Sequence, residues 1–424
     1  MEPKCSIIDL IKELPLNDMS AIAKELGVDY KAKKLDSISL LAYIMQAFLL
    51  TTRVSQRKIG NAAGLMALNE LFGLQINEGK VSHSSISERL AKINPHFFED
   101  SYKILYTKNL KILGNTSLYE SNLVRVDTSW VAESANKLVD GILTGVNERY
   151  GEKRKQIKYG MAFNGFDVLL AKVFTSQKYS GDEPALSETV MDAISVEDGQ
   201  HNVFLFDRGV NSVESFKEIS KLTQEKSDTF VGRVKITRKI KTLRSREIDK
   251  SCSEDGNIRV TEDYIGNLRK KNSQKWDDTE FRFIKVEFCA PRPKSPNAHS
   301  HRRKYQDYMM LITNDLKSSA LAIAQYYLRR WDIEVFFKFM KQNLSFSHLI
   351  SINSNGIQVI LYITLIMALL IKVYQHYHNV GPSMAIEMIK VELANWLYLH
   401  PVAVVDKKFP KCPESDSHSV FRPL

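Results

Sequence analysis

The sequence predicts an α/β protein in which a mixed sheet is flanked by helices and preceded by a helical N-terminal region. Apolar residues recur at helical spacing within residues 1–115, which is typical of amphipathic helices. From residue 122 to about residue 340, short runs rich in β-branched and aromatic residues alternate with helical stretches. Such an alternating order indicates a sheet that is covered by helices.

The first 115 residues are predicted to form several short helices. Residues 10–14 and 38–50 carry apolar side chains at helical spacing, and Ser82 or Ser84 could cap a helix that has Glu88 in its following turns. Short helices with Ser, Lys and Arg at their ends suit a helix-turn-helix-like module that binds DNA. A helical bundle that binds nothing is an equally good interpretation of this stretch alone.

The strands and helices of the α/β region follow one another in a definite order. The segment LVRVDTSWV is predicted as a strand, and IKYGMAFNGFDVLLAKVFTSQ as two strands that turn at Asn164 and Gly165. A helix over about residues 184–194 precedes the apolar strand NVFLFD, and a helix over about 212–222 precedes the strand TFVGRVK. The segment YQDYMMLITND is the last strand. A single long helix is expected over residues 317–340.

Positive charge is concentrated in one segment. The chain has a formal net charge of +10, and residues 235–304 contain 19 Lys or Arg against 10 Asp or Glu. A basic surplus of this size favours a polyanionic partner, either nucleic acid or an anionic membrane. Because the segment also contains β-type stretches, with Trp276 beside Lys275, a folded basic surface is favoured over a solvated loop.

Neither the cysteines nor the apolar runs indicate a secreted or membrane protein. The apolar run at residues 357–374 approaches the length of a membrane span, but it contains Gln358, Thr364 and Lys372, so a buried core helix is favoured. The N-terminus lacks the pattern of a signal peptide. The four cysteines form no CxxC pair and are interpreted as reduced thiols of a cytosolic protein: Cys5, Cys252, Cys289 and Cys412.

Two aspartates end apolar strands in the same way. Asp127 ends LVRVD, and Asp207 ends VFLFD. If these strands are parallel neighbours, both carboxylates lie at the carboxyl edge of the sheet, where α/β proteins place their sites. Each aspartate alone is weak support, because Asp commonly ends a strand as a turn former or a helix cap.

A four-residue pattern in YYLRRWDIEVFFKFMKQ is more specific. Tyr327, Arg330, Glu334 and Lys341 are separated by 3, 4 and 7 positions, which on one helix places all four on a single face. One acid among basic and phenolic groups suits a phosphodiester. Glu334 would bind metal, Arg330 and Lys341 would hold phosphate oxygens, and Tyr327 would donate a hydrogen bond.

The opposite face of this helix is predicted to anchor it to the sheet through an apolar surface. The alternative interpretation is a surface helix in which Arg330 and Glu334 form an i,i+4 ion pair. The apolar surface consists of Trp331, Val335 and Phe339, with Ile333 beside them.

The spacing Y-(2)-R-(3)-E-(6)-K resembles the signature of bacterial insertion-sequence transposases of the DDE type, in the insertion-sequence-four group. VDTSW and FDRGV resemble the first and second aspartate motifs of that family, and KRKQIKYGMAFN resembles its lysine-rich lead into the second strand. The likeness covers about residues 120–375. Val210 departs from the family, in which an aromatic residue frequently follows Asp-Arg-Gly.

The resemblance implies a ribonuclease-H-like fold and a site that cuts DNA with metal ions. Asp127, Asp207 and Glu334 would be the catalytic residues and the ligands of two Mg²⁺ or Mn²⁺ ions. The remaining implied site residues are contacts to DNA. Trp276 would stack on a displaced base, although an indole in a β-rich insertion is more often part of a core. The implied DNA contacts are Tyr327, Arg330, Lys341, Arg208 and Trp276.

The same resemblance predicts the domains and the partners. The regions are a helical DNA-binding domain at 1–115, a catalytic core at 116–234 and 304–375, a basic β-rich insertion at 235–303, and a C-terminal helix with an irregular tail at 376–424. The partners would be transposon-end DNA and target DNA, bound by a homodimer at the bacterial nucleoid in the cytoplasm, with no membrane. A nuclease without strand transfer and an inactive, transposase-derived DNA-binding protein are the alternatives.

Overall fold

A computed structural model of the chain describes most of its residues. The described ranges are 5–32, 35–51, 53–62, 66–74, 81–113, 122–132, 138–143, 155–166, 168–196, 201–248, 253, 257–270, 274–289 and 308–400. The predicted irregular tail from residue 401, and Cys252 and Cys412, lie outside the described residues.

The described part of residues 5–113 forms the short helices that the sequence predicts. Ser82 caps the sixth of them, since its hydroxyl accepts the backbone N–H of Ser85, which confirms one of the two predicted caps. The helices are α1 (Ile7–Lys12), α2 (Leu16–Glu25), α3 (Ser37–Leu50), α4 (Gln56–Ala62), α5 (Met66–Leu71), α6 (His83–Lys92) and α7 (His96–Leu113).

A mixed sheet forms the centre of the molecule, as predicted. Its strands are β1 (Asn122–Ala132), β2 (Ile142–Leu143), β3 (Lys155–Phe163), β4 (Val168–Phe174), β5 (Asn202–Phe206), β6 (Thr229–Val234), β7 (Ile240–Ser245), β8 (Ile258–Arg269), β9 (Trp276–Phe288) and β10 (Tyr308–Thr313). Their spatial order is β2-β3-β1-β5-β6-β10-β9-β8-β7, with β4 also paired to β3. Strands β1, β5 and β6 are parallel neighbours, and the other pairings are antiparallel.

Successive side chains of a strand point to opposite faces of the sheet. The parallel strands carry apolar side chains on both faces, and helices cover both. One face carries Val126, Phe206 and Phe230 and packs against the first two of the following helices. The other face carries Leu205 and Val231 and packs against the third. These helices are α8 (Asp182–Ser195), α9 (Val213–Glu225) and α10 (Ala320–Leu328), and three more follow them: α11 (Trp331–Asn343), α12 (Ser354–His378) and α13 (Pro382–Leu399).

Helix α12 is the apolar segment that approaches the length of a membrane span. Within the described residues it is one helix that is long and apolar enough to cross a membrane, and 89% of its most apolar stretch is buried inside the protein. It packs against α3, α6 and α7 of the N-terminal region and against β4 of the sheet. The prediction of a buried core helix is confirmed, and its apolar composition is explained by burial on all sides.

The prediction of one long helix over residues 317–340 is wrong, because a tight turn at Arg329 and Arg330, called the bend below, separates α10 from α11. The N–H groups of Arg329 and Arg330 bond to carbonyls three residues back instead of four, and the buried Arg125 donates to the Arg329 carbonyl. The two helices also bury their faces in different places: α10 packs on the sheet, and α11 packs into the core around α12.

The bend also changes which side of α11 is buried. Trp331 and Val335 were predicted to anchor the helix, but they are 60% and 52% exposed, so this prediction is wrong for both residues. Ile333 and Phe339 are buried as predicted. The buried face of α11 is built from Ile333, Phe336, Phe337, Phe339 and Met340.

Candidate active site

The register of the parallel strands brings the two predicted aspartates to one level. Val126 of β1 pairs with Phe206 of β5, and Phe206 pairs with Gly232 of β6. The next residue on each strand is Asp127, Asp207 and Arg233, respectively. Asp207 directly follows β5, Arg233 is the last residue but one of β6, and Asp127 lies within β1, which continues to Ala132. The prediction that Asp127 ends its strand is wrong, because β1 remains paired with β3 beyond the point where it leaves β5. The three residues form a row at the level of the carboxyl ends of β5 and β6, which is the edge where α/β sheets carry their sites.

The row faces the side of the sheet that α10 covers. Leu205 and Val231 lie two residues before Asp207 and Arg233, and both pack with α10 on that side. Residues two apart on a strand share a face. The last turn of α10 and the first turn of α11 thus lie over the carboxyl ends of the strands, and they bring Tyr327 and the residues after it to the aspartates.

Tyr327 ties the end of α10 to the second aspartate. Its hydroxyl donates a hydrogen bond to Oδ1 of Asp207 at 3.2 Å, and its side chain is buried. Burial, followed by the neighbouring Asp207, raises the pKa of Tyr327 above its usual range. The phenol is therefore neutral and acts as a donor.

Arg330 lies between the first aspartate and the glutamate. One of its nitrogens, Nη2, is 2.5 Å from Oε1 of Glu334, and the other, Nη1, is 3.8 Å from Oδ2 of Asp127. The Arg330 side chain is 12% exposed. Burial opposes its charge, but Tyr327, Asp207 and Glu334 act the other way and raise the pKa of Arg330. The guanidinium is thus the counter-ion of the acids in this structure.

The acids remain close enough to one another to disturb the ionisation of Asp127. Burial raises the pKa of Asp127 to about 6, and the charges of Glu334 and Asp207 add to this increase. A hydrogen bond from the N–H of Thr128 at 2.8 Å and the charge of Arg330 act in the opposite direction. Negative charge at Asp127 is therefore incompletely balanced by the protein, which is the condition under which a carboxylate gains most from a cation.

The three carboxylates have the donor chemistry that a hard divalent cation prefers, since Asp127, Asp207 and Glu334 offer oxygen ligands. Among the described residues, no group of three or more His, Cys, Asp or Glu side chains is arranged closely enough to hold a metal ion. The positive charge between two of the carboxylates is supplied by Arg330. The three side chains are of the type that binds a divalent metal ion. Arg330 would have to move for all three carboxylates to reach one ion.

Lys341 reaches the site from the far end of α11. Its ammonium group donates to the Ser129 hydroxyl at 2.6 Å and lies 3.5 Å from the Trp130 carbonyl. Burial lowers the pKa of Lys341, while the charge of Asp127 opposes this decrease. The structure therefore brings Tyr327, Arg330, Glu334 and Lys341 to the aspartates, although the first of them stands on a different helix from the last two.

A cleft of about 770 Å³ opens beside the aspartates. Asp127 and Asp207 form part of its wall, together with Arg208, Lys235 and the first turn of α8. Arg208, the implied DNA contact of the second motif, is exposed here. The cleft gives the carboxyl edge of the sheet room for an extended ligand.

Trp276 lies far from the acids. It is the first residue of β9, whereas the residue of β9 that is level with Asp207, through Arg233 and Leu311, is Ile284. Eight residues of strand separate Trp276 from Ile284, which is roughly 26 Å. The Trp276 side chain is 38% exposed at the opposite edge of the sheet.

Two buried cations that support the site were missed in the sequence. Arg125 on β1 donates to the carbonyls of Leu123, Asn164 and Arg329 and pairs with Asp332 at 3.0 Å. Arg125 thereby joins the strand of the first aspartate to the bend before Glu334. Its only sequence signal is a charged residue at an inward position between two valines, in LVRVD.

Lys158 is the second buried cation. It is fully buried on β3, donates to the Gly181 carbonyl at 2.7 Å and lies 4.2 Å from the centre of the Trp130 ring. It therefore holds the start of α8, which forms one wall of the cleft. A lysine within the strand KQIKYGMAF was again the only signal.

Comparison with known proteins identifies the family of this chain. Residues 138–370 match the family described as "Transposase DDE domain", which is more than half of the chain. The chain belongs to the transposase DDE domain family. Asp207 and Glu334 lie within the matched residues of this transposase, and Asp127 lies before them. The family implies an enzyme that cleaves nucleic acid and uses divalent metal ions.

Individual relatives of the transposase are distant. A protein of Sinorhizobium fredii named "Putative transposase y4zB" is 27% identical over 180 residues, which is 42% of this chain and 44% of that protein. The chain thus matches less than half the length of this curated relative. Among solved structures, a piggyBac transposase synaptic complex with hairpin DNA aligns at a TM-score of 0.44 with 9% identity, covering 95% of this chain and 83% of that one.

Proposed function

We propose that this transposase cuts DNA at the ends of an insertion sequence and joins those ends to target DNA, with Asp127, Asp207 and Glu334 as its catalytic residues. The observation that carries the proposal is the convergence of these acids at the carboxyl edge of the sheet in a transposase DDE domain. The Tyr-Arg-Glu-Lys spacing supports membership of the insertion-sequence-four group.

The proposal extends to the architecture. The mixed sheet with its central parallel strands supports a ribonuclease-H-like core made of residues 116–234 and 304–375. The basic segment 235–303, which holds β7, β8 and β9, would be an insertion in this core. Residues 1–115 would form the helical DNA-binding domain, and residues 376–424 the C-terminal helix and tail.

The three carboxylates would hold two Mg²⁺ or Mn²⁺ ions, which when bound supply an activated nucleophile and charge stabilisation at the leaving oxygen. The chain's own residues bind and orient the DNA. Arg330 would exchange its carboxylate partners for phosphate oxygens as the acids take up their ligands. Tyr327, a neutral donor, would hold Asp207 in place, and Lys341 would hold a phosphate beside Asp127.

The same site would then serve two successive reactions. In the first, water attacks the phosphorus at the transposon end, the bond to the 3′ oxygen breaks, and that oxygen leaves as a free 3′-hydroxyl. In the second, the 3′-hydroxyl attacks a phosphorus of target DNA, and a 3′ oxygen of the target is displaced. Both steps are in-line displacements that need the same positioning of charge, so one set of acids suffices.

Cleavage of the natural DNA tests the proposal. The purified full chain, given Mg²⁺ and duplex DNA from both sides of its coding region, should nick the two element ends at fixed positions. Asp127→Ala, Asp207→Ala and Glu334→Gln should each reduce cutting by about a thousandfold or more while preserving DNA binding. Each removes a charged carboxylate that would hold a metal ion in the transition state.

The matched control is Glu225→Gln, which removes an exposed glutamate at the end of α9 and should cut like the wild type. Full cutting by the Glu334→Gln protein would refute the assignment. Cutting without joined product would point to a nuclease that lacks strand transfer, and binding without cutting to an inactive descendant of a transposase.

Pairing of two DNA ends requires two copies of the chain, so we propose a homodimer in the DNA complex. The net charge of +10 supports a place at the bacterial nucleoid in the cytoplasm, because a basic protein gains free energy from contact with DNA phosphates.

A further inference from the structure

Arg233 stands in the row of the two aspartates without a role in the site described above. It follows Gly232 on β6, which is level with Phe206 on β5. Arg233 is thus level with Asp207 on the neighbouring parallel strand. It is half-buried, and it is close enough to Tyr327 for its charge to affect the ionisation of the phenol.

The described residues leave the guanidinium of Arg233 without a partner. No described residue forms a hydrogen bond or an ion pair with it. The same holds for the exposed Arg208 and Lys235 on the cleft wall, whereas the more buried cations around the acids are engaged. Arg330 bonds to Glu334, and Lys341 bonds to Ser129. Arg125, on the strand of the first aspartate, bonds to three carbonyls and to Asp332.

The half-buried guanidinium of Arg233 is therefore open to a ligand. No carboxylate or carbonyl of the described residues occupies its donor groups. Asp207, the nearest acid in the row, is held instead by Tyr327. An external anion would provide the missing partner, and a phosphate offers the two oxygens that match the fork of an arginine.

We propose that Arg233 binds a nonbridging oxygen of one DNA phosphate on the β6 side of Asp207. This inference rests on the proposed function, in that it takes DNA to be the ligand of the cleft. Arg233 is not itself part of the cleft wall, but its neighbour in the row, Asp207, and Lys235 two residues further along the chain both are. A DNA backbone that enters the cleft between Asp207 and Lys235 would therefore pass Arg233. Arg233 is then a substrate-binding residue opposite Arg330, with the acids between them.

A double-mutant cycle between one residue and one phosphate tests this assignment. The probes are short duplexes from each end of the element, and each carries a single methylphosphonate at a different position, which neutralises one phosphate. Ca²⁺ replaces Mg²⁺, so that binding is measured by fluorescence anisotropy without cutting. The full-length wild type and the Arg233→Met protein are titrated with every duplex.

We expect Arg233→Met to weaken binding of the unmodified duplex about tenfold, the value of one charge-assisted hydrogen bond. At one position, or two adjacent ones, the methylphosphonate should weaken the wild type by a similar factor and leave the variant unchanged. Arg233→Lys should recover part of the affinity, because it restores the charge without the planar fork. Arg233→Met should also release about one counter-ion fewer on binding, so that its affinity falls less steeply as the salt concentration rises.

The matched control is Lys226→Met, which removes a positive charge between α9 and β6 at the opposite edge of the sheet. It should bind every duplex as the wild type does. If the losses caused by Arg233→Met and by each methylphosphonate simply multiply at every position, Arg233 contacts no phosphate and the inference is overturned. Equal thermal unfolding of the wild type, Arg233→Met and Arg233→Lys ensures that a binding loss is not a folding loss.

The double-mutant cycle and the cleavage experiment test separate proposals, so one proposal can be contradicted while the other is supported. Coupling at one phosphate in Ca²⁺, combined with no cutting in Mg²⁺, would support the Arg233 contact and contradict the proposed cleavage. Cutting at the element ends without any coupling would support the proposed cleavage and contradict the Arg233 contact.

Discussion

At the scale of single residues, the balance between burial, hydrogen bonds and neighbouring charges decides how each aspartate ionises. The pKa of Asp127 rises to about 6, because burial is reinforced by two other acids. Burial also acts to raise the pKa of Asp277, but two hydrogen bonds from Thr279 and the charges of Lys217 and Lys270 outweigh it and lower that pKa to about 2. The first environment suits a site that takes up a cation, and the second suits a structural ion pair.

Asp277 leads to a prediction about stability and pH. Its folded pKa of about 2 lies below the value of about 3.9 for an unfolded chain, so its contribution is present above pH 4 and is lost as the pH falls from 4 to 2. Asp277→Asn should lower the free energy of unfolding by about 2 kcal/mol at pH 7. Urea denaturation at several pH values should show this difference shrinking below pH 4.

The neighbouring Asp278 provides the control, because it is exposed on the same strand. Asp278→Asn should change the free energy of unfolding by less than about 0.5 kcal/mol at any pH. A deficit for Asp277→Asn that stays constant between pH 7 and pH 2.5 would show that the ion pairs of Asp277 do not stabilise the fold.

At the scale of elements, the bend between α10 and α11 positions Glu334. The carbonyl of Arg329 at the bend accepts a hydrogen bond from Arg125 at 3.2 Å, and Arg125 also bonds to Asp332 in the first turn of α11. Gly165 closes the turn on the other side of this guanidinium, with a φ of +105° that glycine adopts without strain. One side chain therefore connects β1, the β3–β4 turn and the two helices.

Removal of this connection should destabilise the protein. Arg125→Met leaves the carbonyls of Leu123, Asn164 and Arg329 without their donor, and it leaves Asp332 without its buried partner. The free energy of unfolding should fall by about 3 kcal/mol, as measured by urea denaturation.

Asp332→Asn serves as the comparison, since it removes the ion pairs of Asp332 with Arg125 and Arg329 and keeps the carbonyl bonds of Arg125. The Asp332 side chain is 30% exposed, so this change should cost less than about 1 kcal/mol. Equal losses for the two variants would mean that the ion pair, rather than the bonds to the backbone, holds the bend.

At the scale of the whole molecule, one apolar core joins the N-terminal helices to the sheet. Buried residues of α3, α6 and α7 share a cluster with α12 and with β3 and β4. Tyr102 of α7 exchanges hydrogen bonds of 3.0 Å with the backbone of Val168 next to the sheet. The N-terminal helices therefore cover α12, whatever they contribute to DNA binding.

This shared core predicts that the catalytic region does not fold without residues 1–115. A chain of residues 116–424 would expose the sides of α12 that α3, α6 and α7 cover, and a large exposed apolar surface leads to aggregation. We expect this fragment to be insoluble under conditions in which the full chain is soluble and unfolds in one cooperative transition. A soluble fragment with a sharp thermal transition of its own would contradict the prediction.

Local pattern was enough to predict most strands outside the basic segment and the end of β5 at Phe206, directly before Asp207. It was not enough for Asp127, because β1 continues past this residue and buries Val131. The mixed sheet and the buried helix α12 were also predictable from local sequence, because the spacing of apolar residues within each short segment indicates the type of element.

The bend between α10 and α11 was not predictable in this way, and it changed which faces of the helix are buried. Trp331 and Val335 fit an apolar stripe in sequence, but they are exposed because α11 turns toward the core around α12. The hydrogen bond at the bend, from Arg125 to the carbonyl of Arg329, joins residues about two hundred positions apart. No local window contains both partners.

The sequence by itself determined the kinds of side chain available for the site, namely three acids, a tyrosine and several cations on defined elements. Only the tertiary structure decided which of these groups are neighbours. The register of β1, β5 and β6 aligns Arg233 with the aspartates, and the same sheet sets Trp276 at its opposite edge. Strand pairing is a contact between distant segments, and an ion pair depends on distance in space, so both are decided only when the chain has folded.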